Sequence, residues 1–425
     1  MRPSHEERTH FCVSADKVIH SGLRQQGDDS MVQCPDRIIA SIDTGVDDAL
    51  ALAYLLGSTD ECELGGVIAS YGNVDANTAY ANTCAVLDLF GRADIPVFLG
   101  SEHPSWADAF IPDAGCAQFH GDDGLGNTRL AGSGALADGA CVPGDDMSVD
   151  VPDEVVSVGG YLAGDVHAHP ALGACSRVNR SQSVDHPQSA MPTALASGGK
   201  RRCSVDAADG IEYLIEQVRE FGRDVTVLAT GPLTDVDAAI TRAPDIASKL
   251  RLVMMGGTLT QPGNCWDAVA ETNIIQDPEA ANRVFHSGAD ITMVGLDVTH
   301  QCLLPQSAAD RWRATGTKRG RFLADLADFS IKANLEADPA LFSGGMPLHD
   351  PLAAAVALDS SLVDCFDLAL RAETNTGDFN GVRGRTTGDP VGLVNHSMPH
   401  VHVALGVDSG RFLDEFVERM AEVCR

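Results

Sequence analysis

The chain has 425 residues, of which 44% are hydrophobic and only 5% aromatic, a composition typical of a soluble protein with one large domain or two ordinary ones. No apolar run approaches the roughly 20 residues of a membrane helix, and the polar N-terminal stretch lacks the apolar core of a signal peptide, so we expect a cytoplasmic protein. The formal net charge of −30 at pH 7 would repel nucleic acid and anionic membranes, and it favours a metal cation or a neutral polar small molecule as partner.

The predicted elements begin after residues 1–35, a polar stretch without hydrophobic periodicity that we expect to be a disordered tail. Residues 36–425 are expected to form one domain. In its first part, strands are predicted at 37–43, 63–72 and 95–100, and helices at 47–57 and 76–91. This alternation predicts βαβ units and therefore an α/β fold, with a Rossmann-like, open, mainly parallel sheet flanked by helices.

The alternation stops near Asn127. The segment from about 128 to 205 is rich in Gly, Ser, Asp and Pro and has no sustained period, so we expect a flexible insertion. Beyond it, helices are predicted at 210–222, 233–243, 277–288, 348–357 and 410–424, and strands at 224–230, 250–257 and 289–297; the run FDLALRAET at 366–374 is not assigned to either. The twelve cysteines include no C-x-x-C pair, which predicts free thiols and no structural zinc site.

Polar residues follow several predicted strands at their carboxyl ends, where ligands bind in open α/β sheets. The set includes Asp43, Asp47, Asp48, Asn73, Thr230 and Asp297. A single aspartate at a helix start is explained by capping of the backbone N–H groups. Three within six residues, as after the first strand, repel one another and require a counter-ion, and hard oxygen ligands of this kind suit Ca²⁺ or Mg²⁺.

A second acidic signal lies in the stretch MPLHDPLAAA. Pro351 in the first helical turn makes Asp350 a candidate N-cap. If Asp350 instead completes a metal site, the adjacent His349 becomes a candidate acid at a leaving group, because imidazole titrates closest to neutral pH. Three more residues, which either bind sugar hydroxyls or are ordinary polar loop residues, are Asn264, Glu271 and Asn273.

Together these motifs resemble the inosine-uridine preferring nucleoside hydrolase family. The segment SIDTGVDDALA stands where that family has DxDPGxDDAxA, and HGDDGLGN, VLATGPLTDVDAAI, ETNIIQDPEAANRVF and PLHDPLAAA follow in family order. The resemblance covers nearly everything from Arg37 to the C-terminus except the insertion. It implies a calcium-dependent ribonucleoside hydrolase of purine and pyrimidine salvage, which releases a free base and ribose, and a homo-oligomer, dimer or tetramer.

The resemblance also implies the roles of individual residues. The implied Ca²⁺ ligands are Asp43, Asp48, Asp350 and the backbone carbonyl of Thr230. Asp43 would also be the base that takes a proton from a calcium-bound water. The implied sugar contacts are Asp47, Asn73, Met255, Asn264, Glu271 and Asn273. His120 and His349 would lie on the nucleobase side, where a proton or a hydrogen bond assists the departing base.

Three departures from the family pattern stand out. Ser41 and Thr44 replace the first acid and the proline of the hallmark motif, and Asp235 replaces the asparagine of TGPLTN, where we expect it to cap a helix. The region before His349 lacks a tyrosine that many members place at the leaving base, and Phe342 in that region is interpreted as a packing residue. The missing tyrosine leaves the preferred base open. Because the first acid of the hallmark is usually a supporting group in the family, we expect Ser41 to weaken metal binding and not to abolish it.

Two alternatives stay open. A non-catalytic nucleoside-binding protein of the same fold would tolerate the departures, although a binder has no need of a base that activates water. A phosphotransferase of the haloacid dehalogenase type also carries acids after its first strand. It would require a second aspartate at position 45, which is glycine here, and it therefore ranks last.

Overall fold

The computed structural model describes most of the chain from Asp36 onward. The described residues are 36–112, 114–128, 130, 203–204, 206–265, 269–376, 382–389 and 397–425. The N-terminal stretch and nearly all of the expected insertion, for which we predicted disorder and flexibility, lie outside the described residues.

The strands are β1 (Asp36–Ile42), β2 (Cys62–Ala69), β3 (Val97–Leu99), β4 (Cys203–Ser204), β5 (Val225–Ala229), β6 (Arg251–Met255), β7 (Asp290–Val294), β8 (Leu303–Leu304), β9 (Met346–Pro347), β10 (Val363–Ala372), β11 (Thr386–Asp389) and β12 (Val401–Val407). The α-helices are α1 (Val46–Leu56), α2 (Ala76–Leu89), α3 (Ala114–His120), α4 (Ala207–Phe221), α5 (Thr234–Arg242), α6 (Thr272–Gln276), α7 (Pro278–Phe285), α8 (Leu296–Thr299), α9 (Gln306–Arg313), α10 (Lys318–Ala337), α11 (Pro339–Phe342), α12 (His349–Leu358) and α13 (Ser409–Val423). Short 3₁₀ helices span Gly222–Asp224, Pro244–Lys249 and Ser360–Leu362.

A ten-stranded sheet organises the described residues, in the order β11-β10-β12-β7-β6-β5-β1-β2-β3-β4. The strands from β12 to β4 pair in parallel, and β10 pairs antiparallel with both β12 and β11. The chain builds outward from β1 toward β4 and then returns to its other side with β5. The predicted α/β fold is therefore confirmed, and β1 and β5 flank the switch point at which such folds bind ligands.

Helices cover both faces of the sheet. One hydrophobic cluster packs α1, α2, α10, α12 and α13 against the sheet, and a second packs α4, α5 and α7 against the opposite face. Strand β1 is buried on both sides from Ile38 to Ile42, which explains its continuous apolar run. Cys62, Cys302, Cys365 and Cys424 are free thiols, as predicted. No helix in the described ranges is both long and apolar enough to cross a membrane.

Several elements were not predicted from the sequence, among them one long helix and one strand of the sheet. Helix α10 spans 20 residues, and strand β12 carries the antiparallel edge of the sheet. The structure also starts α12 at His349, with Leu348 as the preceding residue. Asp350 therefore lies inside the first turn and does not act as the N-cap, which leaves its carboxylate available for another role.

Candidate functional site

A cavity of about 340 Å³ opens beside the carboxyl ends of β1, β5 and β6. The sequence-predicted residues that line it are Asp47, Asn73, His120, Thr230, Met255, Asn264, Glu271, Asn273, His349 and Asp350. Asp43 and Asp48 lie behind this wall, 1% and 0% exposed. The structure thus brings the predicted residues together from motifs up to about 300 positions apart. We call Asp43, Asp47, Asp48 and Asp350 the acidic cluster, and His120, His300 and His349 the histidine cluster.

Asp48 is held from three directions. Its Oδ2 accepts hydrogen bonds from the backbone N–H of Gly45, at 2.8 Å, and from Asn73 Nδ2, at 3.1 Å. Its Oδ1 accepts one from Thr230 Oγ1, at 2.6 Å. Asp48 thereby completes a capping interaction at the start of α1, as the local interpretation of these acids predicts. Asn73, which follows β2, and Thr230, which follows β5, also fix the orientation of the Asp48 carboxylate.

Asp43 is only half satisfied. Its Oδ2 accepts a hydrogen bond from the backbone N–H of Asn73 at 2.7 Å, whereas its Oδ1 has no hydrogen-bond partner among the described residues. The buried Oδ1 of Asp47 also lacks one. A Cβ at Gly72 would collide with the Asp43 carboxylate, so glycine is required there. Because an unpaired buried carboxylate oxygen is costly, both atoms point to a missing positive partner.

The acidic cluster brings four carboxyl groups together at the buried end of the cavity. Asp47, Asp48 and Asp350 each offer an oxygen within 4.8 Å of the others, and Asp43 lies close enough to act on Asp350 electrostatically. Burial raises the pKa of Asp47 to about 6. The pKa of Asp43 is raised well above its usual value by burial and then by the charge of Asp48. The pKa of Asp350 rises likewise, through burial and its acidic neighbours.

These observations fit a hard divalent cation. Within the described ranges, no lysine or arginine forms an ion pair with the acidic cluster, so its charge is otherwise uncompensated. Carboxylate oxygens in this number suit Ca²⁺ or Mg²⁺. The three carboxylates that lie close enough to share a metal ion include Asp47. The family resemblance instead implies Asp43 as the ligand beside Asp48 and Asp350. Asp43 lies beside the group with its unpaired oxygen.

The wall of the cavity formed by Asn273 and Glu271 is ordered by amide and carboxylate contacts. Asn273 Nδ2 donates to the carbonyl oxygens of Thr230, at 2.7 Å, and Met255, at 3.2 Å. Glu271 caps α6, since it accepts from the backbone N–H of Asn273 at 2.9 Å, and it also binds the N–H of Gly257 at 2.8 Å. Both side chains line the cavity while fixing the ends of β5 and β6.

The structure places two further residues of the sequence prediction at or outside the rim of the cavity. Asn264 is an exposed residue of the cavity rim whose Oδ1 already accepts from Thr272 N–H at 3.0 Å. Asp297 does not line the cavity: it accepts from the backbone N–H groups of Leu259 and Thr260 at 2.8 and 2.7 Å. Asp297 was singled out because it follows the end of a strand, but in the structure its carboxylate holds the loop at Leu259 and Thr260.

His120 is a neutral imidazole near pH 7. Burial lowers its pKa to about 4, so its 3.7 Å contact with Asp47 is not an ion pair at neutral pH. Its Nδ1 accepts the backbone N–H of Val46 at 3.2 Å, which places the ring proton on Nε2. A Cβ at Gly45 would collide with this ring, so the glycine of the opening motif makes room for it.

His349 is neutral for a related reason. Burial, followed by the nearby His300 and His120, holds its pKa well below the usual value. Its Nδ1 lies 2.8 Å from Thr299 Oγ1, and the ring stands 5.6 Å from that of His300. At neutral pH, His349 can therefore offer a hydrogen bond as a neutral ring and not as an imidazolium.

Several residues that line the cavity were not predicted from the sequence. His300 packs edge-on against Phe342 at 5.5 Å, so Phe342 packs as interpreted but also contributes to the cavity wall. Ser330 and Asn334 come from α10, where Asn334 Nδ2 donates to the Ser330 carbonyl at 2.9 Å. A polar pair four residues apart on an otherwise apolar helix face was the available signal.

Comparison with known proteins adds an independent result. The family model described as inosine-uridine preferring nucleoside hydrolase matches residues 38–414. The pyrimidine-specific ribonucleoside hydrolase RihA of Enterobacter sp. (strain 638) is 30% identical over 386 residues, covering 91% of this chain and 97% of that protein. Among solved structures, a purine-preferring ribonucleoside hydrolase from Gardnerella vaginalis is 34% identical with a TM-score of 0.69, covering 91% of this chain and 99% of that one. The plant nucleoside hydrolase PpNRh1 is 27% identical with a TM-score of 0.67, over 91% and 99% of the two chains.

Proposed function

The chain belongs to the inosine-uridine preferring nucleoside hydrolase family and is a ribonucleoside hydrolase, an N-glycosidase. On that basis we propose that two parts of its cavity have different roles in the reaction. The acidic cluster binds Ca²⁺ and the ribose, and the histidine cluster receives the base. The observation that carries this proposal is the pair of unpartnered buried oxygens, on Asp43 and Asp47, beside a cavity lined by neutral histidines.

At the acidic cluster, Asp43 is the general base. Its Oδ1 accepts a proton from the water that attacks the anomeric carbon of the ribose, while Asn73 holds Oδ2. A bound Ca²⁺, with Asp48, Asp350 and the Thr230 carbonyl among its ligands, would supply charge compensation, orient the sugar hydroxyls and lower the pKa of that water. Asp47, Asn273 and Glu271 surround the sugar and stabilise the positive charge that develops on its ring.

At the histidine cluster, the base departs with the electron pair of the broken C–N bond. A hydrogen bond to its developing negative charge lowers the barrier. His120 offers its Nε2–H, and His349 offers a ring N–H oriented by Thr299. Neither donor needs to be protonated beforehand, which suits the lowered pKa values of both rings.

The direct test is hydrolysis by the purified full-length protein. With calcium present, uridine, cytidine, inosine, guanosine and adenosine are incubated separately, and reducing sugar and free base are measured. We expect stoichiometric release of ribose and base from at least one ribonucleoside, and much slower release from its 2′-deoxy analogue, which lacks a hydroxyl for the sugar site.

A non-catalytic nucleoside-binding role predicts a different outcome. Such a protein would gain thermal stability with nucleosides but release no sugar from any of them. Binding without turnover, with calcium bound, would overturn the catalytic proposal. The similar proteins include both pyrimidine-specific and purine-preferring enzymes, so the panel also determines which base this chain prefers.

A further inference from the structure

Two residues that differ from the family pattern contact each other. Ser41 lies near the end of β1 and Asp235 in the first turn of α5, 194 residues further along the chain. Ser41 Oγ donates to Asp235 Oδ2 at 3.2 Å, and the residues are 2% and 0% exposed. Asp235 does not cap α5, because that helix has no side-chain cap. Its carboxylate instead accepts the hydrogen bond from Ser41 on β1.

The other oxygen of Asp235 binds the loop that follows β3. Oδ1 accepts the backbone N–H of Ser101, just beyond β3, at 2.7 Å. A Cβ at Gly100 would come within 2.5 Å of Asp235 Oδ2, so the loop packs directly on the carboxylate. Among the described residues, every hydrogen bond to this carboxylate comes from Ser41 or Ser101, both neutral donors. A single buried carboxylate thus joins the ends of β1 and β3 to α5.

Both connections lead on to the acidic cluster. The Ser41 carbonyl accepts the N–H of Thr230 at 3.0 Å, and Ser41 precedes Asp43 by two residues on the same chain segment. The Ser101 carbonyl accepts the N–H of Tyr71 at 3.1 Å. Tyr71 in turn leads to Asn73, whose N–H binds Asp43 Oδ2. The two branches from Asp235 therefore converge on the groups that surround the proposed cation.

We propose that Asp235 is a positioning residue which, through Ser41 and Ser101, fixes Asp43 and the Thr230 carbonyl in the geometry that a divalent cation needs. The inference rests on the proposed calcium site. The contact has room for one carboxylate and one neutral partner. A second carboxylate at position 41 would face Asp235 at hydrogen-bond distance and repel it.

The test is a double-mutant cycle on the full chain, with calcium affinity measured by titration calorimetry and Tm measured in EDTA. We expect Asp235→Asn to weaken calcium binding about tenfold and Ser41→Asp to weaken it more, a size typical of coupled neighbours. In S41D/D235N the new amide can accept from Ser101 and donate to the new carboxylate. The double variant should therefore bind calcium within about threefold of the unmodified protein, although both single variants are impaired.

The matched control is Asp237→Asn on the same helix. Asp237 is also buried, but its carboxylate pairs with Arg283 at 2.6 Å and, among the described residues, makes no hydrogen bond to β1. We expect this variant to lower Tm without changing calcium affinity. If Asp235→Asn behaves in the same way, its role is only structural and the inference is wrong. Additive losses in the double variant would equally overturn the pairing of Ser41 with Asp235.

Two further outcomes separate this inference from the proposed function. Ser41→Ala removes one donor and should weaken calcium binding about threefold. This variant replaces the charge variants if they fail to fold. An unchanged calcium affinity of Ser41→Ala would contradict the inference. If the unmodified protein binds no calcium, the positioning role fails together with the calcium site. If it binds calcium and the cycle is coupled but no nucleoside is hydrolysed, the catalytic proposal fails while the positioning role stands.

Discussion

The acidic cluster and the histidine cluster share one cavity, yet burial drives their protonation in opposite senses. It raises the pKa of Asp47 to about 6 and lowers that of His120 to about 4. Removing water penalises the charged form in both cases, so an acid keeps its proton and an imidazole loses it. The acids need a cation before they can act as bases, whereas the histidines already carry the neutral N–H that a departing base can use.

The largest expected effect comes from removing the base in the acidic cluster. Asp43→Asn keeps the shape of the side chain but leaves no group to take the proton of the attacking water. We expect kcat/KM to fall roughly 10³-fold, within the range for general bases, for nucleosides and equally for a p-nitrophenyl riboside. Asp245→Asn, an exposed carboxylate that pairs with Arg219, is the control and should keep full activity. Circular dichroism checks that both variants are folded, and an active Asp43 variant would contradict the assignment.

A smaller and substrate-dependent effect is expected at the histidine cluster. His349→Ala should lower kcat on nucleosides roughly 10²-fold and leave the p-nitrophenyl riboside almost unaffected, because p-nitrophenolate departs without a proton or a hydrogen bond. His349→Gln, whose amide can donate, should recover part of the loss. The exposed His400→Ala serves as the control. An equal loss on both substrates would show that His349 acts on the sugar or the cation and not on the base.

The pH dependence of calcium affinity gives the third and smallest contrast. Without a cation, the raised pKa of Asp47 means that protons occupy the acidic cluster as the pH falls through about 6. Calcium must then displace them, so its association constant should fall as the pH drops through about 6, by up to roughly tenfold per pH unit for each proton released. His120, with its pKa near 4, stays neutral across this window and adds nothing. Calorimetric titrations from pH 5 to 8 measure the trend, and an affinity that rises on acidification would refute it.

The fold was largely predictable because its signals are local. The apolar run that becomes β1, the helical pattern that becomes α1 and their repetition along the chain are confirmed by the ten-stranded sheet of the described residues. Helix α10 escaped prediction because its apolar face is interrupted by polar residues such as Ser330 and Asn334, which are buried in the folded protein, where α10 packs against neighbouring elements that include α3, α9 and α11.

The site was also predictable only in part from the sequence. The sequence by itself identified the family, and that match is confirmed. Of the acids predicted after β1, Asp47 lines the cavity, and Asp43 and Asp48 are buried behind its wall. It also marked Ser41 and Asp235 as departures, but it offered two separate explanations for them.

Only the tertiary structure decided that Ser41 and Asp235 form one contact, that Asp297 ties a loop, and that the histidines are neutral. The physical reason is that periodicity specifies which face of a strand or helix a residue occupies, whereas strand order and burial specify its neighbours and its protonation. Strand order places β1 beside β5 and within reach of the loop after β3, and no local pattern in the chain encodes that choice.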